Sequence, residues 1–150
     1  MDLGAHPMYL VNWLMGRPSE VSSVFTSVTG HSVEDNAVSV FKFTNGAIAI
    51  SETSFVSDSS PFMLELYGTE GSLLIGLDGV KISSRLLGGK VNGWVKPNAL
   101  PKALPGPVEQ FVKVALHGDK SHYTIDDAVA LTEIMVAAYK SSRDGVAVKF

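Results

Sequence analysis

The 150 residues contain no cysteine. Disulfide scaffolds, thiol nucleophiles and thiolate metal sites are therefore excluded, although the absence of thiols does not by itself fix a compartment. Excess positive charge is also missing. Twelve Lys and Arg stand against fifteen Asp and Glu, a formal charge of -3. With no Lys/Arg run, neither nucleic acid nor an anionic membrane is expected as the main partner. No stretch approaches the roughly 18 uninterrupted apolar residues of a membrane span. The apolar start is not expected to be a secretory signal either: it has no basic region, and Asp2, His6 and Asn12 interrupt it. A cytoplasmic localisation is the default expectation. There is no GxSxG elbow, no HExxH, no P-loop, and no GxGxxG after a strand. Serine hydrolysis loses its usual framework, and no place to hold a dinucleotide is recognisable.

What is present reads as an ordinary globular chain, 45% hydrophobic and 18% charged. Met8, Leu10, Val11, Leu14 and Met15 recur at helical spacing, and Gly16 and Pro18 end the segment. Pro7 is tolerated in a first turn, so the regular helix is expected to begin between Gly4 and Pro7, with Asp2 just before it. Glu20–Val28 is rich in β-branched residues. Ala37–Val56 is two β-prone runs joined by Asn45-Gly46, a pair favoured in type I′ turns. On its second arm, Ile48, Ile50 and Val56 alternate with Ala47, Ala49 and Phe55, so a second layer is expected over part of each face. Three shorter strands follow between Pro61 and Arg85. Leu86–Pro107, with four prolines and four glycines, reads as a long irregular loop. Helices are expected from Pro107 to Gly118 and after Thr124, whose pairing with Asp127 makes an acidic capping box. In the second helix Ile125, Val129, Ile134 and Ala138 are expected to face the core. VAVKF closes the chain as a strand.

Grouped strands with flanking helices indicate an α+β fold, a mostly antiparallel open sheet with helices packed on one face. Residues 1–150 are read as a single domain without internal repeats. Among the candidate residues, His31 in a turn, His117 near a helix C-terminus and His122 before the last helix have adequate structural explanations. Trp94 and Lys96 in the long loop are read as packing on their own loop. His6 differs, because a histidine near neutral pKa can accept the hydroxyl proton that an alcohol must lose when it gives up hydride. Asp2, four residues earlier, could orient that imidazole or bind a neighbouring hydroxyl. A capping carboxylate beside a solvated imidazole explains the same spacing. As metal ligands the two lack partners to complete a site, so no metal is expected.

Three stretches taken together add a resemblance. DLGAHPMYLVNWLMG resembles the D-x-G-x-H-P segment and Trp-Leu-x-Gly helix of the glucose–fructose oxidoreductase/inositol dehydrogenase (Gfo/Idh/MocA) family. ELYGTEGSLL is similar to that family's strand–GTEG–strand turn. PVEQFVKVALHGDK, with TIDDAVALTEIMVAAYKSSRDGVAVKF, resembles its closing helices and strand, including the A-A-Y-x-S ending. The similarity spans nearly the whole chain except the Leu86–Gly106 loop.

The resemblance implies a truncated chain holding only a C-terminal substrate-binding and oligomerisation domain, with an N-terminal Rossmann domain absent from it. The cofactor, NAD or NADP, would belong to the parent protein and none to this fragment. The catalytic lysine of a Glu-Lys-Pro motif would lie in the absent domain. His6 would be the proton acceptor and Asp2 its partner or a substrate ligand. The expected partners are a sugar- or polyol-like small molecule, the chain's own Rossmann domain, and further copies through the open sheet. The expected function is that of an NAD(P)-dependent oxidoreductase domain, without turnover in isolation. A stand-alone, non-enzymatic dimerisation or small-molecule-binding module is the competing reading. One departure stands out: Tyr9 occupies the position, three after the histidine, where many members carry an acid.

Overall fold

A computed structural model describes residues 2–60, 62–87 and 93–150, with side chains from position 4 onward except Phe62. Its elements run α1 (Asp2–Met15), β1 (Glu20–Thr26), β2 (Asn36–Lys42), β3 (Ile48–Ser54), β4 (Phe62–Tyr67), β5 (Gly71–Gly76), β6 (Gly79–Ser84), α2 (Pro107–His117), α3 (Ile125–Asp144) and β7 (Val148–Lys149). The order is the one the pattern indicates, and every described strand pairing is antiparallel. Sequence signals mark no internal boundary. The chain nevertheless groups into two compact units, one of residues 1–56 with 107–150 and one of residues 57–106.

In the first unit a four-stranded sheet has the order β3-β2-β1-β7. Its inner face alternates as the pleat requires, with Val21, Ser23, Ala37, Ser39, Phe41 and Ser51 buried. Helices α1 and α3 cover that face. Met8, Ile134, Ala137 and Ala138 join Val21, Phe41 and Phe43 in one core cluster. The outer face stays bare: Ile48 is 64% exposed, Ile50 65% and Val24 67%. Within this unit no second layer covers it among the described residues, contrary to the expectation from the apolar alternation. Apolar β-branched residues suit a strand on either face, so composition alone could not say which face was covered.

Three further local expectations change. Pro7 lies inside α1 rather than in its first turn, and the helix starts at Asp2. The missing proline N–H forfeits one hydrogen bond, to the carbonyl of residue 3, and the turns on either side continue. The β2–β3 turn is not type I′, because no described non-glycine residue has positive φ and only Gly46, at +86°, is left-handed. Gly46 N–H donates to Phe43 O at 3.0 Å, and Phe43 N–H donates to Ala47 O at 3.0 Å. This is a three-residue loop with a type I turn and a glycine bulge. In α3, Ile134 and Ala138 are buried as expected, but Ile125 is 77% exposed and Val129 50%. The capping box forms as expected, Thr124 bonding reciprocally with Asp127.

The serines of the Lys140-Ser141-Ser142 stretch, which look like surface residues in sequence, carry the packing of α3. Strand β7 pairs only with Glu20 and Val21 of β1. Beyond it, the N–H groups of Ser23 and Phe25 would be orphaned. They donate instead to Ser141 Oγ and Ser142 Oγ, each at 2.9 Å. The Ser23 and Ser39 hydroxyls bond each other at 2.7 Å beneath the helix.

The second unit is a three-stranded meander, β4-β5-β6, with Val95 bridged to Ile82. Its turn depends on Gly71, since a Cβ there would come within 2.7 Å of Ser83 O and Ser84 Cβ. Gly68 N–H closes the turn on Gly71 O at 2.9 Å, and Arg85 Nη2 donates to Thr69 O at 2.5 Å. A depression of about 420 Å³ beside the turn is lined mainly by Leu66, Leu73, Ile82 and Leu87. It is apolar and holds no acid–base group suited to catalysis at neutral pH.

Ser141→Ala should cost about 1–3 kcal/mol, because it strands the buried Ser23 N–H without a partner. Urea unfolding together with amide exchange at Ser23 measures this. An unchanged midpoint and unchanged Ser23 protection would contradict the role assigned to α3.

Candidate active-site flank on the first helix

Helix α1 packs on α3 and on β3, with Met8 fully buried. Its opposite flank faces outward. Asp2 and His6 stand one turn apart within the helix, so the backbone places both positions on the same side. His6 is exposed there. The Asp2 side chain lies outside the described residues, so its pairing with His6 has no description here. Tyr9 follows one turn after His6 on the same flank.

Around Tyr9 the structure assembles residues that the sequence did not single out. The Tyr9 hydroxyl is buried and has no hydrogen-bond partner among the described residues. Burial raises its pKa, and the Asp127 carboxylate and Tyr123 push it the same way, so it remains a neutral phenol at physiological pH. Its ring meets that of Tyr123 at 6.4 Å between centroids, tilted by 50°. The segment carrying Tyr123 is anchored from beneath, where His122 N–H donates to Oε1 of the buried Gln110 at 3.1 Å. The signal available in sequence was weak, a glutamine on the polar side of α2 and an aromatic before a capping threonine.

The remaining candidates separate by environment. His31 lies exposed in the β1–β2 loop, which is organised by Asp35 rather than by the histidine. The buried Asp35 carboxylate accepts from Val28 N–H and Thr29 N–H, both at 2.8 Å, and from Thr29 Oγ1 at 2.6 Å. These bonds, the Thr29 hydroxyl first, hold its pKa down at about 2. His117 ends α2 beside Gly118. Tyr139 donates to Glu34 and meets Phe25 edge to face at 5.2 Å. Burial, then the bond to Glu34, pushes its pKa up to about 12. Its role is to brace α3 on β1. Trp94 and Lys96 are exposed and lie in the second unit. No group of three His, Asp or Glu among the described residues could hold a metal ion. No described helix is long and apolar enough to cross a membrane.

The fold and the histidine-bearing first helix define a class, the α+β C-terminal domain of dehydrogenases with an open antiparallel sheet. The family model for the GFO/IDH/MocA C-terminal domain matches residues 1–74. Over those residues the chain resembles the Gfo/Idh/MocA family. Among solved structures, an NAD-binding protein from Listeria innocua superposes with a TM-score of 0.84 at 19% identity, covering 99% of this chain and 46% of its own. An oxidoreductase from Agrobacterium radiobacter, in complex with NAD+, L-tartaric acid and magnesium, gives 0.78 at 20% identity, covering 99% and 48%. The WlbA dehydrogenase from Bordetella pertussis, in complex with NADH and UDP-GlcNAcA, gives 0.73 at 17% identity, covering 100% and 45%. At these identities the likeness establishes the fold. The chain spans about half the length of these proteins. No curated protein matches the sequence.

Among the described residues the sheets do not form the unit that binds a dinucleotide in a Rossmann fold. Every described strand pair is antiparallel, whereas the dinucleotide site of a Rossmann fold needs a strand–glycine turn–helix unit on a parallel sheet.

Asp35 gives a pH signature. Its folded-state pKa lies below the ordinary 3.8, so its stabilisation is complete above about pH 4 and fades as pH falls toward 2. The stability gap between the native chain and Asp35→Asn should be constant above about pH 5 and shrink below about pH 4, as read by urea midpoints. A gap unchanged through the acid range would contradict the hydrogen-bonded carboxylate.

Proposed function

We propose that the chain is the substrate-binding and oligomerisation domain of an NAD(P)-dependent oxidoreductase acting on a sugar, a polyol or a related hydroxy compound. On this reading it is a single C-terminal domain of a cytoplasmic parent protein, whose Rossmann domain lies outside these residues and holds the NAD or NADP. The observation that carries the proposal is His6, exposed on the outer flank of α1, within the family-matched residues 1–74. The NAD+ and L-tartaric acid in complex with the Agrobacterium protein, and the NADH and UDP-GlcNAcA in complex with the Bordetella protein, support the same class.

In this scheme the substrate carbinol sits against α1 with its hydroxyl toward His6. The imidazole would take the hydroxyl proton, and a nicotinamide held by another domain would supply the hydride acceptor. Asp2, one turn earlier, holds the imidazole or an adjacent substrate hydroxyl. An imidazole open to solvent can then pass its proton to water, so the group is ready for the next cycle.

A nicotinamide-reduction screen of polyols and hydroxy acids on the complete protein tests the reading. His6→Ala should lower kcat by about 10²–10⁴-fold with the fold intact. Turnover retained in that variant, or NAD reduction by the isolated 150-residue chain, would contradict it.

The bare outer face of the first sheet favours a second reading, a dimerisation module without chemistry of its own. Val24, Val38, Ile48 and Ile50 are exposed on that face, bordered by the Glu20–Lys42 ion pair at 2.6 Å. In either reading this face pairs copies of the chain, as apolar sheet faces do when stacked about 10 Å apart. Sedimentation velocity should show a dimer or larger assembly, and Ile50→Lys should dissociate it. A strict monomer at high concentration would overturn the pairing.

A further inference from the structure

Helices α2 and α3 are each anchored on one side and apolar on the other. Helix α2 has 11 residues, a length that is marginal in water unless an apolar face is packed. Only Gln110 is buried. Its Oε1 accepts from His122 N–H at 3.1 Å, which ties that side of the helix to the segment before α3. The opposite side carries Val108, Phe111 and Leu116, and the last two are each 72% exposed. The Glu109–Lys113 ion pair, at 2.8 Å, borders this stripe. Helix α3 repeats the pattern. Ile134, Ala138 and Ser141 are buried toward the sheet, while Ile125, Val129 and Val136 recur at spacings of four and seven on the far side, all exposed. A helix that is apolar on two sides belongs to an inner layer and calls for a further layer above it.

We propose that the outward stripes of α2 and α3 are the seat of a second domain of the parent protein, the one that holds the dinucleotide. The inference rests on the two-domain reading given under the proposed function. Length allows such an occupant: this chain covers 48% of the Agrobacterium protein and 45% of the Bordetella protein, so each has about as much chain again. Position selects it. His6 stands on α1 opposite the buried Met8, so it points away from the sheet, as the α3 stripe does. Helix α2 joins the same layer through His122 and the Tyr123–Tyr9 ring contact. A cofactor held by another domain can serve His6 only if that domain rests on this side. The bare outer face, carrying Ile48 and Ile50, lies across the sheet and cannot be the seat. A second copy docked on the stripes would take the place that the cofactor domain needs.

The test is hydroxyl-radical footprinting of the complete protein, with buried Met8 as the protected reference. Phe111, Leu116, Ile125 and Val129 should react severalfold more slowly than exposed side chains of the same types, near the level of Met8 once intrinsic reactivity is corrected for. Phe111→Lys changes an exposed position and leaves the core of the unit intact. It should restore the reactivity of Ile125 and Val129, lower kcat by about 10–100-fold and leave NAD(P) affinity unchanged. His6→Ala should lower kcat without altering the footprint. Fully reactive stripes in a complete protein that turns over would overturn the seat and leave the two-domain reading in place. Protection that is lost on dilution would assign the stripes to a second copy and overturn the seat as well. A gene that encodes no further domain would overturn both.

Discussion

The structure of the first unit depends on how α3 completes the edge of β1. Strand β7 is two residues long, and past it the edge of the sheet belongs to Ser141 and Ser142. Two hydroxyls on adjacent helix positions do what the next strand would have done. They fix α3 at one height and one angle over the inner face. The small residues Ala137 and Ala138, both buried, let the helix backbone come close enough for those bonds. Because the helix is locked to the strand by hydrogen bonds as well as apolar contact, the inner face is closed by one arrangement only.

The site follows from that lock. Helix α1 rests on α3 and β3, so its orientation is inherited from the α3 placement. Met8 points into the core, and the flank with His6 and Tyr9 then faces outward. The capping box at Thr124 fixes the first turn of α3 and, through it, the segment bearing Tyr123. The His6 imidazole is thus carried on a helix rather than on a loop. The outer sheet face plays no part in this closure.

Much of the fold was legible in sequence because its punctuation is chemical. Gly16-Pro18, Pro107, Gly118 and the Thr124–Asp127 pair each mark a helix end for a local reason, and all lie where the pattern put them. What was not legible depends on tertiary context. Nothing local distinguishes Ser141 as an edge cap from a surface serine, and nothing in Ile48 or Ile50 says that its face goes uncovered. The three stretches that carried the family resemblance also divide. The GTEG turn answers to the close approach at Gly71, and A-A-Y-x-S to the packing of α3 on β1. Only the first stretch bears residues with chemistry to offer. Of those, His6 was visible as a type of residue at a plausible spacing. The pairing of Tyr9 with Tyr123 was not, since the two are 114 positions apart in the chain.

The central claim is that this chain supplies the substrate half of a two-part site. The most direct measurement is the sequence of the source gene upstream of the Met1 codon, read in frame. The account predicts a strand–GxGxxG–helix unit followed by a Glu-Lys-Pro, the parts needed to hold a dinucleotide and complete the chemistry at His6. A stop codon directly upstream would contradict it, and His6 would then be an exposed imidazole on a module that works by association alone.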